Sequence, residues 1–321
     1  MSRCAFDKEH QAEQRNTFRD IVRELSAALA KGHSCIAVSD DQQRLLKESA
    51  LIYEVDDTSL TDVVRTNTPL ILENSRLYLQ RYWHYETRLA EQLRYKISNN
   101  PQHHNNLEKL LDKYFEIQTE KDWQREAAMK VSQQSFSIIT GGPGTGKTTT
   151  VLKILALLQE IQLTQVSPAG TKPLNIALAA PTGKAAMRLQ ESIGEGKEKL
   201  NCSDEIKASI TDSVSTIHRL LGAKPASPYF KHHADNPLVY DVVVIDEASM
   251  VDLALMSKLV DALQPDARLI LLGDKEQLAS VESGAILGDL SQGLPDNTIE
   301  LKKSWRFKEE IKNLALAINQ Q

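Results

Sequence analysis

Eight residues, GGPGTGKT at 141 to 148, constrain what this chain can fold into more than any other feature. They stand between SFSIIT (135 to 140), a β-branched apolar run, and TTTVLKILALLQEI, which reads as an amphipathic helix. Gly141, Gly146, Lys147 and Thr148 occupy the fixed places of a phosphate-binding loop. The spacing has a chemical reason. Glycines let backbone N–H groups converge on phosphate oxygens, and the following helix presents its positive end. Lys147 then neutralises the β and γ phosphates, and the Thr148 hydroxyl holds Mg²⁺. The run Gly141, Gly142, Pro143, Gly144, Thr145, Gly146, Lys147, Thr148 and Thr149 is therefore expected to wrap the triphosphate of ATP. With ordinary residue usage, chance matches to the four fixed positions arise about once per hundred chains of this length. A merely glycine-rich turn is the weaker reading.

Three further apolar runs follow: NIALAA (175 to 180), VYDVVVI (239 to 245) and ARLILLG (267 to 273). Each reads as a strand buried on both faces of a parallel sheet, with helical segments such as TGKAAMRLQESI between them. The fold class is α/β, doubly wound. The run Val242 to Ile245 delivers Asp246 and Glu247 to a strand end, where open α/β sheets place their ligands. Asp246 is read as the Mg²⁺ ligand and Glu247 as the proton acceptor for an attacking water. Two carboxylates beside a triphosphate repel it unless a cation intervenes, so the pair makes sense only with Mg²⁺. The last strand leads into GDKEQLASVESG, in which Gln277 is the group expected to address the γ-phosphate or the water.

The first 117 residues read as mainly helical. Phe18, Ile21, Val22, Leu25 and Leu29 form one stripe, with Gly32 as a stop, and Tyr78, Tyr82, Tyr85, Leu89, Leu93 and Ile97 form another on a single long helix. Core packing is the expected use of both. SNNPQHHNN (98 to 106) is a loop or linker, and its histidines, like His232 and His233, lack ligands at metal-site spacing. Residues 194 to 213 and 222 to 238 are polar and read as surface excursions. The chain has 38 Lys+Arg against 43 Asp+Glu, a net charge of -5, so any nucleic-acid contact must come from a focused basic groove. Three widely spaced cysteines argue against a disulfide framework, and no apolar run reaches membrane-spanning length. A cytoplasmic protein without membrane partners is expected.

GGPGTGKT, AAPTGKAAMRL, STIHRLLG, DEASMVD, GDKEQLASVESGAILGD and LKKSWRF occur in the order seen in superfamily 1B helicases, and the set is most similar to the RecD family. RLYLQRYWHYETRLAEQL also resembles that family, so the likeness runs from about residue 30 to the C-terminus. It implies a RecA-like motor domain moving 5′ to 3′ on single-stranded DNA, working with RecB and RecC as exodeoxyribonuclease V in double-strand break repair. DNA cleavage would belong to RecB. By the same resemblance, Gln124 recognises adenine, and Pro181, Thr182, Gly183 and Lys184 form one DNA-contact motif. Thr216 and His218 belong to a second, and Arg306 reaches back to the γ-phosphate. The implied organisation is a helical partner-contacting domain over 1–117, motor domain 1A over 118–294, and the start of a second motor domain over 295–321. The later motifs of that second domain do not follow, so this polypeptide is expected to bind nucleotide, hydrolyse it weakly and not unwind. The competing readings are a stand-alone RecD-like helicase, a small-molecule kinase or signalling ATPase, and a non-catalytic subunit with a degenerate site. The intact Lys147, Thr148, Asp246 and Glu247 weigh against the last.

Overall fold

A computed structural model describes residues 2–55, 68–101, 106–115, 122–164, 171–225, 227–274 and 286–302. The chain divides into two compact units, one drawn chiefly from Met1–Ala90 and the other chiefly from Glu91 onward.

In the first unit, the helix Ser2–Ala30 ends where Gly32 adopts φ 92°, a left-handed stop that glycine takes without a Cβ penalty. The expected stripe is a core face: Ile21 and Leu25 are buried, and Phe18, Val22 and Leu29 pack beside them against Leu46, Leu70, Leu72 and Leu77. Ser39 and Gln42 form a reciprocal capping box that starts the helix Asp40–Lys47. Four short strands accompany these helices: β1 Cys35–Ala37, β2 Ile52–Glu54, β3 Leu70–Glu73 and β4 Arg76–Leu79, in the sheet order β1-β4-β3-β2. The mainly helical expectation for this region did not include that sheet. Nor does one helix carry the whole tyrosine stripe: Tyr78 lies on β4, and the helix is Gln80–Ser98. Asn74 and Ser75, at φ 45° and 62°, make a two-residue hairpin between β3 and β4. The three- and four-residue tyrosine spacing crosses the strand-to-helix junction and imitates one helix.

In the second unit, all four expected strands form, as β5 Phe136–Thr140, β6 Ile176–Ala180, β8 Val242–Ile245 and β9 Arg268–Gly273. Two edge strands, β7 Val214–Thr216 and β10 Thr298–Glu300, complete a six-stranded sheet in the order β10-β5-β9-β8-β6-β7. At three residues each, β7 and β10 are too short to show a period. Every pairing is parallel, so all strand C-termini emerge at one edge. There β9 separates the strand feeding the phosphate loop from the strand carrying the acidic pair. The helix Lys147–Thr164 is not amphipathic: Thr150 to Leu158 are buried without a break apart from Lys153, because the helix runs through the centre of the largest core cluster. Among the described residues no helix is long and apolar enough to cross a membrane.

Candidate nucleotide-binding site

The loop after β5 is built by contacts that leave little freedom of sequence. Gly144 and Gly146 sit at φ 79° and 84°, conformations that a side chain makes costly. Gly141 is required for a different reason. A Cβ there would stand 2.7 Å from the Thr145 hydroxyl oxygen and 3.1 Å from the Leu301 carbonyl oxygen. The Gly141 N–H donates to the Gly273 carbonyl of β9 (3.3 Å), and the Thr145 hydroxyl donates to the Gly142 carbonyl (2.9 Å). Gly141→Ala is accordingly expected to lower thermal stability by about 1–3 kcal/mol, the usual cost of overpacking. It should also weaken nucleotide binding, as paired melting and MgATP titration would show; an unchanged protein would contradict the close packing.

Lys147 opens the helix, and its ammonium donates to the Gly141 carbonyl (2.5 Å) and the Gly142 carbonyl (3.2 Å). The lysine is thus held over the loop. A cavity of about 780 Å³ lies here, lined by residues 143–149, Asp246 and Glu247. The phosphate loop and the acidic pair, 97 residues apart or more in sequence, therefore face one space. Burial pushes the Asp246 carboxyl up to about 6; the neighbouring Glu247 adds to the rise, whereas its backbone N–H and Lys147 oppose it. Asp246 and Glu247 share this cavity with the Lys147 ammonium.

Glu247 holds an uncommon backbone, φ 51° and ψ 41°, which costs a non-glycine residue about 1 kcal/mol or more. The conformation turns the chain out of β8 into the one-turn helix Ala248–Met250, where the Met250 N–H bonds the Glu247 carbonyl (3.0 Å). On the β8 side, the Asp246 N–H bonds the Ala179 carbonyl of β6 (2.9 Å).

These features fit a magnesium nucleotide. Thr148 supplies a hydroxyl and Asp246 a carboxylate that a divalent cation would keep ionised. Lys147 and the glycine-lined backbone suit phosphate oxygens. No group of three or more His, Cys, Asp or Glu that could hold a metal ion occurs among the described residues. Mg²⁺ characteristically binds through one or two protein groups and the phosphates.

The remaining expected residues distribute unevenly. Gln124 lies in the first turn of the helix Trp123–Gln133, whose N-cap is Asp122, and is not among the residues lining the cavity. Thr182 caps the helix Gly183–Glu198, its hydroxyl accepting from the Ala185 N–H (3.2 Å); Gly183 and Lys184 are exposed at the same helix start, and Pro181 precedes it. Thr216 likewise caps Ile217–Leu221 through the Arg219 N–H (3.2 Å), and the exposed His218 ring meets Phe230 edge-on at 5.7 Å. Both threonine hydroxyls thus have structural work. Thr182 stands just beyond the C-terminal end of β6 and Thr216 is the last residue of β7, at the edge shared with the phosphate loop. Gln277 and Arg306 lie outside the described residues.

Sequence reasoning missed the far wall of the cavity, which is contributed by Lys153 and by Arg188, Ser192, Glu195 and Lys199 along one face of the helix Gly183–Glu198. Their spacing of four, three and four was the available signal.

An AAA domain family model matches residues 124–283, from the helix Trp123–Gln133 before β5 to beyond β9. The RecBCD enzyme subunit RecD of Haemophilus influenzae is 44% identical over 239 residues, covering 72% of this chain and 36% of that protein. RecD of Mycolicibacterium smegmatis is 44% identical over 245 residues, covering 75% of this chain and 42% of that one. The chain belongs to the RecD family. The ATP-dependent RecD2 DNA helicase of Deinococcus radiodurans is more distant, at 38% identity over 169 residues, covering 53% of this RecD-family chain and 19% of that helicase. The chain spans about two fifths of the length of the two RecD subunits it matches.

Proposed function

We propose that this RecD-family chain carries the nucleotide-binding part of an ATP-driven 5′ to 3′ DNA helicase subunit. The whole protein would act on single-stranded DNA with RecB and RecC in double-strand break repair and recombination. The observation that carries the reading is the shared cavity: Lys147, Thr148, Asp246 and Glu247 line one space at the C-terminal edge of a parallel sheet. The 44% identity to RecD subunits adds the family context.

When bound, Mg²⁺ neutralises triphosphate charge and orients the terminal phosphate. The protein's own groups do the rest. Backbone N–H groups of residues 144–148 and the Lys147 ammonium draw negative charge toward the loop. Thr148 and Asp246 are the assigned cation ligands, and Glu247 takes the proton of the attacking water. Gln277 and Arg306 are assigned to the γ-phosphate by resemblance, and Gln124 to adenine. Pro181, Thr182, Gly183, Lys184, Thr216 and His218 are assigned to the DNA backbone, a sequence-blind and salt-sensitive kind of contact. Their support is position, since the capped helix starts at 182 and 216 project from the same sheet edge as the loop. The functional division into 1–117, 118–294 and 295–321 is kept as part of the proposal; the AAA domain match lies within its middle part.

ATP turnover in the presence of single-stranded DNA tests the reading. Stimulation by about tenfold or more supports a DNA motor, and indifference to DNA would favour the kinase or signalling-ATPase reading. The stand-alone helicase is the second reading, favoured by the RecD2 likeness. Co-purification of the whole protein with RecB and RecC separates the two.

A further inference from the structure

Gly273 ends β9 and its backbone meets two other segments. Its carbonyl accepts the N–H of Gly141, the first residue of the phosphate loop (3.3 Å). On its other side, a Cβ built at Gly273 would lie 3.2 Å from the backbone nitrogen of Ser249 and 3.5 Å from that of Ala248, and would collide with the Leu287 side chain. The one-turn helix that follows Glu247 is therefore pressed against bare backbone.

That turn has few other anchors. Its own hydrogen bonds, Met250 N–H to the Glu247 carbonyl (3.0 Å) and Val251 N–H to the Ala248 carbonyl (3.1 Å), are local and fix its shape without fixing its place. The Ser249 hydroxyl is buried and has no hydrogen-bond partner among the described residues, so none of them tethers the turn through it. Ala248 is fully buried with only a methyl group to offer. Placement of the turn depends on close packing, and at Gly273 that packing leaves no room for a Cβ.

We propose that Gly273 is a positioning residue: by admitting no side chain, it lets β9 lock the phosphate-loop start to the left-handed Glu247 turn, so that the proton acceptor is held in register with the phosphates. The proposal deepens the nucleotide-hydrolysis reading and rests on it for the role of Glu247. The lock itself is a property of the chain alone.

The test uses the 321-residue chain, as Gly273→Ala and as Gly273→Ala combined with Leu287→Ala. The double variant removes the side-chain collision and leaves only the backbone crowding against Ala248 and Ser249. Amide hydrogen exchange is read without nucleotide. In both variants the Met250 and Val251 amides are expected to exchange about tenfold faster or more, while amides of Val243 to Ile245 change by less than about threefold. With MgATP, affinity should stay within about threefold and single-turnover hydrolysis should fall by about tenfold or more. Unchanged exchange at 250 and 251 in the double variant overturns the proposal, as does hydrolysis equal to the parent's. Equal loss of affinity and rate would also overturn it, since it would mark general damage. If the parent chain does not bind MgATP, the function reading fails, and the exchange result still decides whether Gly273 holds the turn.

Discussion

Lys147→Ala is expected to weaken MgATP binding by about 100-fold, or roughly 2.7 kcal/mol, with little change in thermal stability. The first half of that expectation comes from the position of the ammonium. It is held 2.5 Å and 3.2 Å from two loop carbonyls at the edge of the cavity that Asp246 and Glu247 also line. A bound triphosphate has to draw this ammonium from neutral carbonyl oxygens to charged phosphate oxygens, and charge-assisted bonds are about twice as strong as neutral ones. Without the ammonium, Asp246 and Glu247 still face the phosphates, and the cations left on the cavity lining, Lys153, Arg188 and Lys199, lie outside the phosphate loop. The second half follows from location. The loop carbonyls border an open cavity and can turn to water, so removing their donor costs far less than it would in the core. Isothermal titration against MgATP and a melting curve on the same preparation check both halves. Undiminished affinity would remove the physical basis for a nucleotide site here and leave family likeness alone.

Much of the second unit was legible because its signals are local. A strand buried on both faces must be apolar throughout, so β5, β6, β8 and β9 announce themselves as runs, and the phosphate loop needs glycines at fixed places whatever surrounds it. Asp246 and Glu247 could be read for the same reason, as polar residues ending an apolar run. What escaped reading depends on partners distant in sequence. The edge strands β7 and β10 are three residues long, and only pairing with β6 and β5 makes them strands. The β3–β4 hairpin turns on Asn-Ser, a weaker signal than Asn-Gly, and the following tyrosines disguised it. The Gly141 requirement comes from Thr145 and from Leu301, 160 residues onward. The left-handed backbone at Glu247 is a demand of packing, since glutamate has no preference for it. Gln159 looks like a solvated helix residue, yet it is fully buried and bonds Leu174 through both ends of its amide, and also Ser209. Lys96 is the strongest case of all.

Lys96 is 2% exposed, near the end of the helix Gln80–Ser98, where a lysine would ordinarily be read as solvated. Its ammonium instead donates to three carbonyls in the turn before β9: Gln264 (3.1 Å), Pro265 (3.3 Å) and Ala267 (2.7 Å). One side chain bridges three acceptors of one turn. Lys96→Met keeps the length and apolar stem but removes the donor to the Pro265 and Ala267 carbonyls, while the Gln264 carbonyl keeps the Ala267 N–H (3.1 Å). At about 1–3 kcal/mol for each acceptor left dry, and with partial relief by water, the expected loss is about 3–5 kcal/mol. For a unit of this size that corresponds to a fall in Tm of roughly 10 °C. The pH dependence gives a separate signature. Burial lowers the Lys96 ammonium to about 8 from its ordinary 10.5, with Asp266 opposing the shift. Below pH 8 the group is protonated in both folded and unfolded chains and contributes no slope. Between 8 and 10.5 the unfolded chain holds a proton that the folded chain has released, so this group's contribution to stability rises with pH. By pH 9.5 the rise amounts to about 2 kcal/mol. The gap between parent and Lys96→Met in urea unfolding should therefore be wider at pH 9.5 than at pH 7. A gap that narrows would mean that the three carbonyls hold the proton more tightly than burial expels it, placing the folded-state value above the unfolded one.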